Sequence, residues 1–142
     1  DKEDYDNALA VYRNALDLDP KNAKIHCNLG FLYWGKGDTD EAIREYEYAI
    51  EYDKSYSIAY NNLGVIYLDD LGRVKEAIDM FKKAVEYNPN YALAHFNLAR
   101  SIAITGEKIE AAKLYQIAQD VNKITNEIDP QDITDKINAL FD

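Results

Sequence analysis

Three asparagines recur at a nearly fixed interval. Asn28, Asn62 and Asn97 stand 34 and 35 residues apart, each directly before a leucine. A carboxamide both donates and accepts, so one amide per structural unit matches the donors and acceptors of a peptide backbone. Recognition of that kind tolerates many partner sequences. The competing role is internal, each amide satisfying polar groups between helices. One turn further along come Phe31, Val65 and Arg100; nearer the start of each segment lie Lys24, Ile58 and Leu93. With their neighbours, these define a candidate peptide-binding set: Lys24, Asn28, Phe31, Ile58, Asn61, Asn62, Val65, Leu93, Phe96, Asn97 and Arg100. The set is cationic at both ends and apolar between.

Other reactive side chains offer less. Cys27 is the one cysteine, which excludes an internal disulfide and a cysteine-based zinc knuckle. Its expected role is that of a small, partly buried helix residue. His26 and His95 occupy equivalent places two units apart, on the order of 20 Å given about 8–10 Å between packed helices. They cannot share a metal. Twelve tyrosines suggest stacking, but Tyr46 falls on a packing face and Tyr52 and Tyr87 at helix ends, so inter-helix packing is expected. No glycine-rich phosphate loop, nucleophile elbow or His-x-x-x-His is present. Acidic runs such as Asp38-Thr39-Asp40-Glu41 read as helix starts. Neither an enzyme nor a cofactor or metal site is expected.

The totals agree. With 142 residues, 47% hydrophobic and 30% charged, the chain is long enough to bury a core and too apolar to be disordered. A net charge of −10 and a pI near 4.6 disfavour nucleic acid as a partner. No apolar run reaches the roughly 20 residues of a membrane span. The opening Asp1-Lys2-Glu3-Asp4 lacks the pattern of a secretion signal. A cytoplasmic location and a protein or peptide partner are the expectations.

The elements that must position the candidate set follow one scheme. Ala8, Tyr12 and Ala15 match Ala42, Tyr46 and Ala49, then Ala77, Phe81 and Ala84, then Ala111, Tyr115 and Ala118. Small, aromatic and small residues at i, i+4 and i+7 share one helical face, where the small residues admit a neighbouring helix. Residues 4–22 read as the second helix of a truncated repeat, 23–56 and 57–91 as repeats, and 92–125 as another. Within them, helices are expected near Asn22–Trp34, from Asp38 to Tyr52, and over Val74–Tyr87. Tyr91–Ile104 and Glu107–Val121 form the last pair. Asp38 with Glu41 suggests a capping box. Tyr67 to Ala77 spans ten positions where Tyr33 to Ala42 spans nine, an extra residue assigned to the turn Asp69-Asp70-Leu71-Gly72. Asp129-Pro130 starts a helix over 129–141, whose Ile133, Ile137 and Leu140 stripe suits a cap.

Leu-Gly with tyrosine three residues on, then alanine, aromatic and proline at this period, resembles the tetratricopeptide repeat (TPR) family from Asp4 to about Lys123. The family's tryptophan position holds His26, Tyr60 and His95 here, and Ala99 and Ile102 replace its glycine and tyrosine. The resemblance implies one all-α domain over 1–142, a right-handed superhelical solenoid of antiparallel helix pairs. It would comprise about three and a half repeats plus a C-terminal capping helix. It also implies a non-catalytic interaction scaffold holding an extended peptide or a partner's helix in a concave groove. The asparagine row is similar to the ladder in the TPR arm of O-linked N-acetylglucosamine transferases. A lysine–asparagine–lysine–arginine carboxylate clamp is not expected, since Cys27, Phe31, Ile58, Leu93 and Asn97 depart from it. Two alternatives stand beside the scaffold: self-assembly into a homo-oligomer through an exposed first helix, and the recognition arm of a larger enzyme such as a glycosyltransferase.

Overall fold

A computed structural model describes residues 2–142, with side chains from Asp4 onward. The side chains of the acidic opening Asp1-Lys2-Glu3 thus lie outside the described residues. Every regular element among the described residues is helical: α1 Lys2–Leu18, α2 Ala23–Lys36, α3 Thr39–Tyr52, α4 Ser57–Val65, α5 Val74–Tyr87, α6 Ala92–Ile104, α7 Lys108–Thr125 and α8 Pro130–Ala139. By internal packing the chain divides into two compact units, Asp1–Leu63 and Gly64–Asp142.

In the first unit, α1 and α3 both pack on α2. Ala42, Tyr46 and Ala49 are fully buried, and the Tyr46 ring lies flush against Gly30, where a Cβ would come within 2.8 Å. Asn22 caps α2 by accepting from the Ile25 N–H at 3.2 Å. Gly37 ends it in the left-handed conformation, φ 90°, so Gly35 lies inside the helix. The expected capping box on α3 does not form. Asp38 makes no side-chain cap bond, its N–H is taken by the Tyr33 carbonyl at 3.0 Å, and Glu41 pairs with Arg44 at 2.6 Å. The Ala8, Tyr12 and Ala15 face is half-buried against its surroundings rather than exposed. Arg13 donates to the Tyr33 hydroxyl at 3.1 Å, and the Lys36 ammonium sits 5.1 Å from the Tyr5 ring centre.

In the second unit, α6 packs on α5 and α7, and α8 packs on α7. Phe81, Ala99, Tyr115 and Ile133 are buried to 1% or less in one core with Leu98, Ile102 and Leu140. The apolar stripe of α8 thus covers α7 as a cap should. Asp129 caps α8 by accepting from the Gln131 N–H at 2.9 Å, with Pro130 in its first turn. Before α8, Asn122 accepts from the Glu127 and Ile128 N–H groups at 2.8 and 2.9 Å. It also donates to the Ile128 carbonyl at 2.6 Å, fixing the α7–α8 turn.

The extra residue is not in a loop. Residues Ile66–Asp70 form a π-helical turn that continues α4, with the Leu71 N–H reaching back five residues to the Ile66 carbonyl at 3.2 Å. A residue inserted into an α-helix widens one turn in this way, which keeps the buried Ile66 and Leu68 on the core side.

The three residues at the family's tryptophan position share one task. The His26 ring donates to the Pro20 carbonyl at 3.0 Å, the Tyr60 hydroxyl to Lys54 at 3.2 Å, and the His95 ring to Pro89 at 2.9 Å. Each reaches six residues back and ties its helix to the preceding turn. A carbonyl only accepts, so each ring nitrogen facing one is the protonated nitrogen. The turn lacking proline and the turn holding Pro89 are both closed by a side-chain oxygen, Asn88 accepting from the Asn90 N–H at 3.2 Å in the latter. Asp53 accepts from both the Ser55 N–H at 2.9 Å and its hydroxyl at 2.7 Å.

Candidate functional site

On α2, Lys24, Asn28 and Phe31 fall at i, i+4 and i+7 and so share a face. Lys24 is exposed and Asn28 half-buried. Phe31 is 62% exposed, its ring edge-on to Trp34 at 6.4 Å between centres. An aromatic this exposed on an ordered helix retains apolar surface that a partner can cover. In the same unit Ile58 is 43% exposed.

The remaining members of the first unit turn inward. Asn61 is 1% exposed and donates to the Asn62 side-chain oxygen at 3.3 Å. Asn62 is half-buried and in turn places its amide nitrogen 3.9 Å from the Cys27 sulfur. Cys27 is buried, and desolvation pushes its thiol up to about 12, with the Asn62 amide pulling weakly the other way. Both ends of the Asn62 amide are therefore engaged inside the fold.

The second unit divides similarly. Val65 packs partly against the core. Leu93 is half-buried, and its N–H donates to the Glu127 carboxylate at 2.9 Å, so the start of α6 already has its anion. Phe96 packs edge-on against Tyr115 at 5.4 Å. Asn97 is 4% exposed and is held inside the fold. Arg100 is half-buried, one guanidinium nitrogen contacting both Asp69 oxygens at 2.5 and 2.7 Å. Burial raises the Tyr115 hydroxyl above its ordinary value, and the Arg100 charge partly opposes this.

The eleven candidates thus separate into three exposed side chains, Lys24, Phe31 and Ile58, and others engaged to different degrees by the fold. Asn61 and Asn97 do not reach the surface in this structure, since their amides lie among packed helices where an unsatisfied polar group would be costly. The row of asparagines is not one of equivalent, outward amides. Sequence reasoning did not identify Asp69 as the partner of Arg100, although the extra residue that creates the π-turn marks that segment. It also passed over Lys108 and Lys136, which carry no repeat signal. Among the described residues no group of three or more His, Cys, Asp or Glu side chains is placed to hold a metal. No helix there is long and apolar enough to cross a membrane.

Family models match residues 1–37 as TPR repeat, and residues 27–85 and 67–133 as Tetratricopeptide repeat. The chain belongs to the tetratricopeptide repeat family, a family that generally serves as non-catalytic interaction modules. The TPR2B domain of yeast Sti1, in its pHsp70 complex, is similar with a TM-score of 0.77 and 22% identity, over 83% of this chain and 94% of that one. The crystal structure of MamA protein is similar with a TM-score of 0.73 and 24% identity, over 99% of this chain and 80% of that one. At these identities the likeness is one of fold, and the class is all-α and TPR-like. No curated protein matches the chain.

Proposed function

We propose that this chain is a non-catalytic interaction scaffold that takes an extended peptide, or a helix of a partner protein, along the first helices of its repeats. The observation that carries this reading is Phe31, 62% exposed between Lys24 and Trp34 on the outward face of α2. Burying such a ring against a partner contributes on the order of 1–2 kcal/mol. Asn28 beside it supplies donor and acceptor groups for a backbone. The pHsp70 complex of the Sti1 domain supports a protein or peptide as the kind of partner. Lys24, Asn28, Phe31 and Ile58 form the surface proposed in the first unit, and Val65, Leu93 and Arg100 its counterpart in the second. Asn62, with both ends of its amide engaged by the fold, only borders this surface.

The test is selection of peptides from a random display library, followed by affinity measurement against Phe31→Ala and Asn28→Ala variants. Phe31→Ala is expected to keep its melting temperature within a few degrees and to weaken selected peptides about tenfold. Equal affinity of the variant for every selected peptide refutes the proposal.

A second reading, self-association through α1, is favoured by Val11 at 63% and Leu18 at 90% exposure, at i and i+7 of one helix. Light scattering that gives a monomer across micromolar concentrations removes it.

A further inference from the structure

The second unit carries a cleft of about 320 Å³ where the ends of α6 and α8 meet α7. Arg100 and Ile104 of α6, Lys108 and Tyr115 of α7, and Lys136 and Leu140 at α8 line it. Its volume is at the small end for ligand pockets, enough for one or two side chains and not for a large cofactor.

Its charge runs against that of the chain. Acidic residues outnumber basic ones 26 to 16, yet the lining holds three bases and no acid. Arg100 is already engaged by Asp69. Lys108 and Lys136 are both exposed, and neither is in an ion pair among the described residues. Two ammonium groups held in no ion pair beside an apolar wall make a surface that attracts a carboxylate and rewards a bulky side chain next to it. The apolar character continues past Lys108 into a second hollow of about 570 Å³, where Ile109 is 71% and Phe141 61% exposed. Glu107 and Glu110 flank that hollow, so the attraction for anions is confined to the first cleft.

We propose that this cleft binds a short acidic peptide segment carrying one bulky apolar side chain, with Lys108 and Lys136 meeting the carboxylates and Ile104 and Leu140 the apolar group. The assignment rests on the reading of the chain as a peptide-binding scaffold and names the chemistry of its partner. A nucleic acid offers the anion but has no use for the apolar wall, and the net charge of −10 repels it. The electrostatic part is screened by salt, since the lysines are exposed.

Fluorescence anisotropy tests it with a labelled peptide of glutamates around one leucine. Two control peptides replace the leucine by alanine or the glutamates by lysine. The double variant Lys108→Glu/Lys136→Glu should melt with the parent and bind the acidic peptide at least about tenfold more weakly. The lysine peptide should fail on the parent, the alanine peptide should lose several-fold, and raised salt should weaken the acidic peptide. Unchanged binding by the double variant overturns the proposal, as does equal binding of the lysine peptide or no binding of the acidic one. Complete displacement by a single-stranded oligonucleotide at equal concentration, or binding that tracks self-association of the chain, overturns it too. Library peptides that depend on Phe31 but ignore both lysines sink the cleft alone. A library that yields no binder sinks the scaffold reading beneath it.

Discussion

Gly64 and Ala99 occupy the same place in successive repeats, yet each should resist the other's residue. A Cβ added at Gly64 would lie 2.7, 2.9 and 3.0 Å from three atoms of the Phe81 ring. Phe81 is fully buried, so its ring cannot swing into solvent. Alanine in a helix gains up to about 1 kcal/mol over glycine. Overpacking a well-filled core costs about 1–3 kcal/mol. Gly64→Ala should therefore lose up to about 2 kcal/mol. At Ala99, fully buried in the same core as Tyr115, the methyl group is already accommodated. Ala99→Gly forfeits about 1 kcal/mol of helix propensity and about as much for the lost methyl, near 2 kcal/mol together. Urea and thermal unfolding report both, with melting shifts of about 3–8 °C for a chain of this size. Shrinking the ring with Phe81→Leu should make Gly64→Ala cheaper than it is in the parent, a coupling readable from the double-mutant cycle. If Gly64→Ala stabilises the chain by about 1 kcal/mol, the ring yields and the close-approach argument is wrong.

Two further outcomes follow from buried polar groups. With its thiol pushed up to about 12 from 9.0, Cys27 should resist alkylation at pH 8 in the native chain and react as one equivalent in denaturant. Because the folded value is raised, the associated stability is fully present below pH 9 and is lost as pH climbs from 9 toward 12. Burial also raises Tyr56 and Tyr115, so Cys27→Ala should flatten the alkaline limb of a stability profile without abolishing it. Rapid native labelling at pH 8 contradicts this. Asn122→Ala removes three hydrogen bonds from a residue 4% exposed. About 2–4 kcal/mol should be lost. Hydrogen exchange at the Glu127 and Ile128 amides should quicken, and an unchanged exchange rate would refute the role given to Asn122.

The helices were legible because their signals are local and redundant. For α5 the amphipathic run from Val74 and the Asn88-Pro89-Asn90 stop after Tyr87 mark the ends, and for α8 the Asp129-Pro130 start is chemical. What escaped was set by competition among neighbours. Asp38 and Glu41 stand at capping-box spacing, but Arg44 lies one turn on and offers Glu41 an opposite charge. An extra residue is equally readable as a longer loop or a wider helical turn. Only the need to keep Ile66 and Leu68 facing the core decides for the π-turn.

The candidate surface was legible only in part, for a reason that belongs to repeats as such. A residue recurring at a fixed place keeps its backbone setting, but its role depends on what faces it, and the facing residues do not recur. Asn62 meets the sulfur of Cys27, whereas the matching Asn97 of the second unit is buried, next in the chain to Phe96, which packs on Tyr115. Asn28 stays half-open beside exposed Phe31. Three copies of one asparagine thus have three environments. The opposite holds for His26, Tyr60 and His95, which differ in type and share one bond to a carbonyl six residues back. Identity of residue is therefore a poor guide to shared role here, and common geometry a good one. The proposed surfaces accordingly draw on positions where the copies differ, as at Phe31 and Lys108, or that no copy shares, as at Lys136 of α8.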